Sequence, residues 1–184
     1  MHRDGDWHRS VHVWLASSKE GSLLLQQRSE SKDTFPGRWD VSCAGHISGN
    51  DGSLDSAVRE LEEELGLSVD PALMKSAFVA TIPSSVRGST PKHGAFDCRE
   101  FQDLYLLRLE DVLGDAGANV PHDEDEGDAA SPLDQLTLGA GEVSDVALLN
   151  ADGVLAAWEA EDDGFVPRPA HYCETLAAAL EKLR

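Results

Sequence analysis

The chain has 184 residues, of which 34 are Asp or Glu and 15 are Lys or Arg, and its formal net charge at pH 7 is −19. This length is typical of one domain with a sizeable hydrophobic core. The charge argues against non-specific binding to nucleic acid or to an anionic membrane, so metal ions and a local basic cluster must receive any anionic substrate.

Cysteine usage and the lack of apolar runs indicate the cellular compartment. Cys43, Cys98 and Cys173 have neither the spacing of a zinc site nor that of a disulfide framework, which favours a reducing compartment. The first residues lack the apolar run of a signal peptide, and nowhere do the roughly 18 apolar residues of a membrane-spanning helix follow one another. We therefore expect a cytoplasmic protein that does not bind membranes.

The first part of the chain predicts short strands. Residues 10–17 alternate in polarity, so that Val11 and Val13 share one face of a strand while His12 and Trp14 share the other.

A hairpin turn at residues 19–21 leads to a returning strand at Ser22–Arg28, and residues 39–44 form a further short strand after a loop at 33–38.

The second half of the chain alternates between further strands and helices. In order, we predict a strand at 76–82, a loop at 83–95, strands at 100–107 and 142–149, and helices at 151–160 and 171–183. Residues 114–132 are rich in Asp and Glu and contain no Lys or Arg, which is the composition of a solvated, disordered insertion. Strands with few helices indicate a mixed sheet between helices.

One helix carries the strongest chemical signal. Its apolar stripe consists of Leu54, Val58, Leu61 and Leu65. On the opposite side lie Glu60, Glu63 and Glu64, whose charges repel one another at spacings of three and four residues. We predict Ser53 as its N-cap and Gly66 as the left-handed residue that ends it. The three carboxylates favour a bound divalent cation such as Mg²⁺, which takes oxygen ligands.

The stretch around this helix resembles the Nudix box, which is Gly, five residues, Glu, seven residues, then Arg-Glu-apolar-x-Glu-Glu-x-Gly-apolar. The residues that match in register are Gly45, Arg59, Glu60, Leu61, Glu63, Glu64, Gly66 and Leu67. Asp51 stands where the family usually has Glu, and its shorter carboxylate is expected to contribute to the same site.

The resemblance implies an α/β fold, namely the Nudix α/β/α sandwich with a mixed β-sheet and a loop-helix-loop catalytic motif. It also implies that Glu60, Glu63 and Glu64 hold Mg²⁺ or Mn²⁺, with the carbonyl of Gly45 as a further ligand. Arg59 would then orient Glu60 or its neighbours.

More than half of the chain also resembles the isopentenyl-diphosphate isomerase branch of this superfamily. Position by position, His8 and His46 match metal-binding histidines, Arg28 and Lys32 match phosphate-binding positions, and Glu100 matches the catalytic glutamate. The resemblance implies that these side chains meet in one site.

Three departures from the isomerase pattern favour hydrolysis instead. The position of the catalytic cysteine is Ala44, and neighbouring Cys43 points to the opposite face of a strand. Where the isomerases tend to carry a pocket tryptophan, this chain has Arg168 after residues 165–167. The chain keeps all three helix carboxylates, which diphosphate cleavage needs and alkene protonation does not.

The first hypothesis is therefore a metal-dependent hydrolase that cleaves a diphosphate linkage in a small molecule. Either Glu64 or Glu100 is the base, and Arg28, Lys32 and Arg38 form the basic cluster that meets the phosphates. Candidate substrates are prenyl diphosphates such as isopentenyl diphosphate, or nucleoside diphosphate derivatives. The alternatives are an isopentenyl-diphosphate isomerase and a non-catalytic ligand-binding module.

We expect residues 1–184 to form a single domain that includes the acidic insertion. The whole pattern also resembles the Nudix domain at the front of plant and algal proteins that continue into a peptidase-like region. This likeness implies fusion to a further domain in the full-length protein.

Overall fold

The computed structural model describes residues 5–17, 21–90, 94–113 and 131–183. The strands in these ranges are β1 (Trp7–Ser17), β2 (Ser22–Arg28), β3 (Trp39–Asp40), β4 (Cys43–His46), β5 (Phe78–Thr90), β6 (Gly94–Arg108) and β7 (Val143–Asn150). The helices are α1 (Ser53–Leu65), α2 (Pro71–Ser76), α3 (Leu109–Leu113), α4 (Ala151–Glu159) and α5 (Ala170–Leu183), and a 3₁₀ turn covers Pro132–Gln135.

The described strands form one mixed sheet with the central order β3-β2-β1-β6-β5. β1 runs parallel to β6, whereas it is antiparallel to β4 and to β2. Residues 10–13 of β1 pair with β4, and residues 15–17 pair with β2. β1 therefore changes partner midway, and side chains of its first half lie beside β4 at the candidate site.

The two faces of the sheet bury separate hydrophobic cores. On one face, Val13 and other residues of β1 pack with Leu61 of α1 and with α2. On the other face, Trp14 packs with Tyr172 of α5 and with α4. The sheet thus lies between two helical layers, which confirms the predicted α/β sandwich with a mixed sheet.

Helix α1 has a glycine next to each end and backbone contacts to a distant segment at its C-terminal end. Gly52 is its N-cap, and Gly66 ends it with a left-handed φ of 69°, as predicted. Thr137 and Gly139 donate their backbone N–H groups to the carbonyl oxygens of Leu65 and Glu64, both at 2.9 Å. A segment far along the chain therefore satisfies carbonyl groups that a helix end leaves without partners.

Most predicted elements are present with small changes at their ends. The strand Ser22–Arg28 has the predicted bounds, and β1 begins earlier than predicted, at Trp7. Residues 39–44 form two short strands, β3 and β4, rather than one. In the described ranges, no helix is long and apolar enough to cross a membrane.

Two predictions are wrong: the loop at residues 83–95 and Ser53 as the N-cap of α1. Residues 83–95 were expected to form a loop, but β5 continues to Thr90 because its backbone pairs with β6 through Gly94. Ser53 is not the N-cap but the first residue of α1, and its hydroxyl contacts that of Tyr105 at 2.8 Å.

Several predictions fall on residues that lie outside the described ranges. These are the turn residues Lys19 and Glu20, the loop residue Lys92, and residues 114–130 of the predicted acidic insertion. The last two residues of that predicted insertion are described, and there Ser131 caps the 3₁₀ turn.

Candidate active site

A cavity of about 510 Å³ opens between the first half of β1, β4, α1 and the β5–β6 hairpin. Among the described residues that line it, the acids are Asp40, Glu60, Glu63, Glu64, Glu100 and Glu142, and the bases are Arg28, Lys32, Arg59 and Arg168. So many charged groups around one cavity form a polar site. Apart from Lys32 and Glu142, which pair with each other, hydrogen bonds and ion pairs divide them into three groups.

The first group is on α1, where Glu60 and Glu64 face the cavity and are almost fully buried. A Cβ atom at Gly45 would overlap the carboxyl group of Glu60, so only glycine fits at this point of β4. Burial raises the pKa of Glu60, although neighbouring Arg59 opposes this shift.

Glu64 is fixed through one of its two carboxylate oxygens. Its Oε2 accepts hydrogen bonds from Gln26 Nε2 at 3.0 Å and from the backbone N–H of Ala44 at 3.1 Å. Among the described residues, none is hydrogen-bonded to Oε1. Burial raises the pKa of Glu64 to about 7, against the hydrogen bond from Ala44, and the charge of Glu60 adds to the shift.

Arg59 joins the glutamates of α1 at the mouth of the cavity. Its Nη1 lies 2.9 Å from Glu60 Oε1 and 3.0 Å from Glu63 Oε2. Glu63 is exposed, whereas Glu60 is buried, so this one guanidinium holds an inner and an outer carboxylate together.

The second group surrounds Glu100 on β6. His8 Nε2 and Cys98 Sγ each lie 3.1 Å from Glu100 Oε1, while Ser10 Oγ and Gln102 Nε2 contact Oε2 at 3.2 and 3.1 Å. A carboxylate offers about four lone-pair positions, so these neighbours take up its accepting capacity.

His46 also belongs to this second group, and the group as a whole sets the charge state of Glu100. His46 Nε2 lies 3.8 Å from Glu100 Oε1, and the rings of His8 and His46 are 5.0 Å apart. Burial would raise the pKa of Glu100, but nearby His46 and the hydrogen bonds from Gln102 and Cys98 hold that pKa below its usual value. Glu100 is therefore ionised.

The third group is centred on Asp40, which is buried at the end of β3. Arg28 Nη1 lies 3.0 Å from Asp40 Oδ2, and Arg168 contacts Oδ1 of the same carboxylate. Burial favours the neutral acid, but Arg168 and Arg28 hold the pKa of Asp40 below its usual value. Arg168 also lies over the ring of Tyr172, with 5.1 Å between the guanidinium carbon and the ring centroid.

Most of the predicted site residues come together around this cavity. Those that line it are Arg28, Lys32, Gly45, His46, Arg59, Glu60, Glu63, Glu64 and Glu100. His8 adjoins it through its contact with Glu100.

Two predicted residues are placed elsewhere. Arg38 is directed at Phe165 and Asp163, with Nη1 3.3 Å from the carbonyl oxygen of Phe165. Asp51 is exposed in the loop before α1, and neither it nor Arg38 lines the cavity.

Several lining residues were not singled out from the sequence as site residues. Asp40 and Arg168 are 128 positions apart in the chain, and their pairing leaves no local pattern. His12 lies on the face of β1 that turns toward the cavity. Cys98 had one available signal, since it precedes Glu100 by two residues and so shares its face of a strand.

The glutamates of α1 fit a hard divalent cation. Glu60 and Glu64 are two buried carboxylates whose pKa values rise, chiefly because burial opposes their charge. The charge of Glu63 adds to the shift of Glu60, and the charge of Glu60 adds to that of Glu64. A cation between them would relieve both effects, and their oxygen donors suit Mg²⁺ or Mn²⁺. His8, Cys98 and Glu100 form a second group whose ligand atoms lie within 4.8 Å of one another.

The chain is similar in sequence to known proteins. "Nudix hydrolase 3" of Arabidopsis thaliana is 38% identical over 167 residues, which are 91% of this chain and 19% of that protein. "Isopentenyl-diphosphate Delta-isomerase" of Serratia proteamaculans is 34% identical over 106 residues, or 58% of this chain and 54% of that protein. The chain thus spans about a fifth to about half the length of these two relatives.

Solved structures resemble the fold. The MutT protein from Methanosarcina mazei Go1 superposes with a TM-score of 0.52 at 16% identity and covers 98% of both chains. DR0079 from Deinococcus radiodurans gives 0.51 at 22% identity, covering 95% of this chain and 82% of that one. At such identities the likeness concerns the fold alone. A family model described as "NUDIX domain" matches residues 6–151, well over half of the sequence, and the chain therefore belongs to the NUDIX family.

Proposed function

We propose that this protein is a metal-dependent hydrolase that cleaves the diphosphate linkage of a small molecule. The observation that carries the proposal is the meeting of Glu60, Glu63 and Glu64 with Arg28 and Lys32 around one cavity. Acids that suit a divalent cation and bases that suit phosphate oxygens are together what a diphosphate substrate requires.

In this proposal Glu60, Glu63 and Glu64 hold Mg²⁺ or Mn²⁺, and Gly45 offers a carbonyl oxygen beside them. When bound, the cation supplies positive charge that stabilises the charge developing on the phosphoryl oxygens. Arg59 positions Glu60 and Glu63 through its two ion pairs.

Arg28 and Lys32 would bind the phosphate oxygens of the substrate. Arg28 is held by Asp40 and by the carbonyl oxygen of Thr34, 3.0 Å from its Nε. Lys32 contacts Glu142, and a phosphate group would compete with that carboxylate for its ammonium group. Arg28 is therefore held in place by two partners, whereas Lys32 is held by an ion pair that a phosphate group can replace.

We assign the general base to Glu64 rather than to Glu100. A base must have a free lone pair directed toward the water that it deprotonates. Glu64 keeps Oε1 without a hydrogen-bond partner among the described residues, whereas both oxygens of Glu100 accept hydrogen bonds. Glu100 would instead position His8 and His46.

Part of the cavity wall is apolar, which favours a substrate with an organic group attached to the diphosphate. Its side chains are Phe35, Val86, Phe96, Val166 and Pro167. Phe96 lies across from Gly88 in the β5–β6 hairpin, where a Cβ atom would come within 2.7 Å of the ring. A prenyl chain or a nucleoside ring could pack against such a wall, so both substrate classes remain in the proposal.

The test is a hydrolysis assay with Mg²⁺ on isopentenyl, geranyl and nucleoside diphosphates, with the products identified by mass spectrometry. We expect release of phosphate or of the monophosphate, and a large loss of rate in Glu63→Gln. The hydrolase proposal fails if no compound is cleaved, and binding without turnover would support a non-catalytic module instead.

One observation favours isomerisation as a second candidate function. Ala44 stands where an isomerase-type cysteine is expected, and Cys43 is fully buried in the core, but the thiol of Cys98 lies in the cavity beside Glu100. Burial raises the pKa of Cys98, so its thiol keeps a proton next to an ionised carboxylate. An isomerase must deliver one proton and remove another. Conversion of isopentenyl to dimethylallyl diphosphate without phosphate release would establish this alternative.

A further inference from the structure

The side chain of His12 is held in one tautomer by two neighbours in the core. Its Nδ1 lies 3.0 Å from the hydroxyl of Tyr172, and Trp14 Nε1 donates to the same hydroxyl at 2.9 Å. An indole nitrogen only donates, so the Tyr172 oxygen accepts from Trp14. Among the described residues, Nδ1 of His12 is the acceptor that remains for the Tyr172 proton.

It follows that the proton of the His12 ring is on Nε2. Burial lowers the pKa of His12 to about 3, with a further contribution from the charge of Arg168, so the ring is neutral. His12 lines the cavity, and no residue in the described ranges accepts a hydrogen bond from Nε2. The ring therefore presents one N–H donor that the protein itself does not use.

Arg168 adds positive charge beside this donor. Its side chain is 8% exposed, lines the cavity and shares the carboxylate of Asp40 with Arg28. The carboxylate of Asp40 is thus shared by two guanidinium groups, and the ionised carboxylate of Glu100 is a further charge that acts on Arg168. Nε of Arg168 is buried and has no hydrogen-bond partner in the part of the chain that the structure describes.

We propose that His12 and Arg168 form a subsite for an anionic oxygen group of the substrate. The inference rests on the proposed function, because it concerns a ligand of the same cavity. Unused N–H donors beside a guanidinium group match a phosphate or a carboxylate, and an apolar group at this point would leave them unpaired. The anion is either the terminal phosphate of the diphosphate or an acid at the other end of the molecule.

The tautomer is tested without any ligand by ¹⁵N NMR of the histidine rings. We expect Nδ1 of His12 at the shift of an unprotonated nitrogen and Nε2 at that of a protonated one, with assignment from the His12→Gln spectrum. In Tyr172→Phe the fixed pattern should be lost. A protonated Nδ1 in the parent protein would overturn the proposal.

The subsite is tested by calorimetric binding of two methylenediphosphonates in Mg²⁺, one with a pentyl tail and one with a 4-carboxybutyl tail. His12→Phe removes the donor and keeps a ring, while His12→Gln keeps an N–H donor and serves as the matched variant. The folded state of each variant is checked by thermal unfolding. These analogues cannot be hydrolysed, so a failed subsite is distinguishable from a failed hydrolase.

The pattern of losses identifies the anion. If His12→Phe weakens only the carboxylated analogue, by about tenfold or more, the subsite receives an acid at the far end of the substrate. If it weakens both analogues alike, the subsite receives the diphosphate itself. In either case His12→Gln should restore most of the affinity, and Arg168→Gln should weaken the same analogues. Unchanged affinities in His12→Phe, or no binding of either analogue to the parent protein, would overturn the proposal.

Discussion

The carboxyl group of Glu60 fills the space where Gly45 would carry a side chain. Gly45 is on a strand and Glu60 is on the acidic helix, so this contact fixes the distance between the two elements at the candidate metal site. The glycine of the Nudix box is thus explained by a close approach and not by a turn, since its backbone has no left-handed φ.

Gly45→Ala should therefore displace Glu60 from its position. We expect Mn²⁺ affinity and the rate of diphosphate hydrolysis to fall by about 10- to 100-fold, measured by calorimetry and by phosphate release. Gly153→Ala in α4 is the matched control, because the nearest atom to its added Cβ is 3.7 Å away. Equal behaviour of the two variants would show that the contact does not matter.

Glu64→Gln should lower kcat by about 100-fold or more at saturating metal, since positioned bases contribute factors of this size. Glu62→Gln makes the same charge change at an exposed position of the same helix and should have little effect. Glu100→Gln should mainly lower thermal stability, because four hydrogen-bond contacts converge on that carboxylate. A larger loss of kcat in Glu100→Gln than in Glu64→Gln would reverse the assignment of the base.

The raised pKa of Glu64 predicts a pH dependence of stability. A carboxyl group whose pKa is near 7 in the folded state and 4.5 when unfolded binds its proton more tightly when folded. The metal-free protein should therefore lose up to about 3 kcal/mol of stability from this group as the pH rises from 4.5 through 7.

Thermal unfolding of the parent protein and of Glu64→Gln between pH 5 and pH 8 measures this effect. We expect the difference between the two to grow in favour of the variant as the pH rises. Mn²⁺ should stabilise the parent more at pH 8 than at pH 5, because it binds the ionised carboxylate. A difference that does not change with pH would contradict the prediction.

Arg28 and Arg38 provide a matched pair for the phosphate-binding prediction. Arg28 lines the cavity, while Arg38 is directed at Phe165 and Asp163 outside it. Arg28→Gln should raise KM for a diphosphate by about tenfold, whereas Arg38→Gln should change it by no more than about twofold. The reverse order in steady-state kinetics would place the phosphates elsewhere.

Local patterns in the sequence were enough to predict the elements that carry the acidic site. Alternation of polarity located β1 and β2, and the helical stripe located α1, because burial of one face leaves a period in the sequence. The loop predicted at 83–95 was wrong because Pro83 and Gly88 favour turns locally, while pairing with β6 satisfies the backbone of β5. Such pairing depends on distant residues and leaves little local signal.

The same limit applies to the candidate site. The side chains of α1 could be predicted because their spacing is fixed by the helix. Asp40 and Arg168 could not, because their contact joins β3 to the segment before α5. Ser53 shows a smaller error, since a serine next to a helical stripe fits the N-cap and the first helical residue equally well.

The two backbone bonds from Thr137 and Gly139 to the last turn of α1 set a minimum length for a working fragment. A chain cut after β6 would still contain every side chain that the sequence predicted for the site. It would lack the segment that contacts the last turn of α1 next to Glu64. It would also lack Arg168, which lines the cavity, and Tyr172, which contacts His12 from the core. A shorter active version of this protein must therefore keep the residues from Thr137 to Tyr172 as well as the Nudix box.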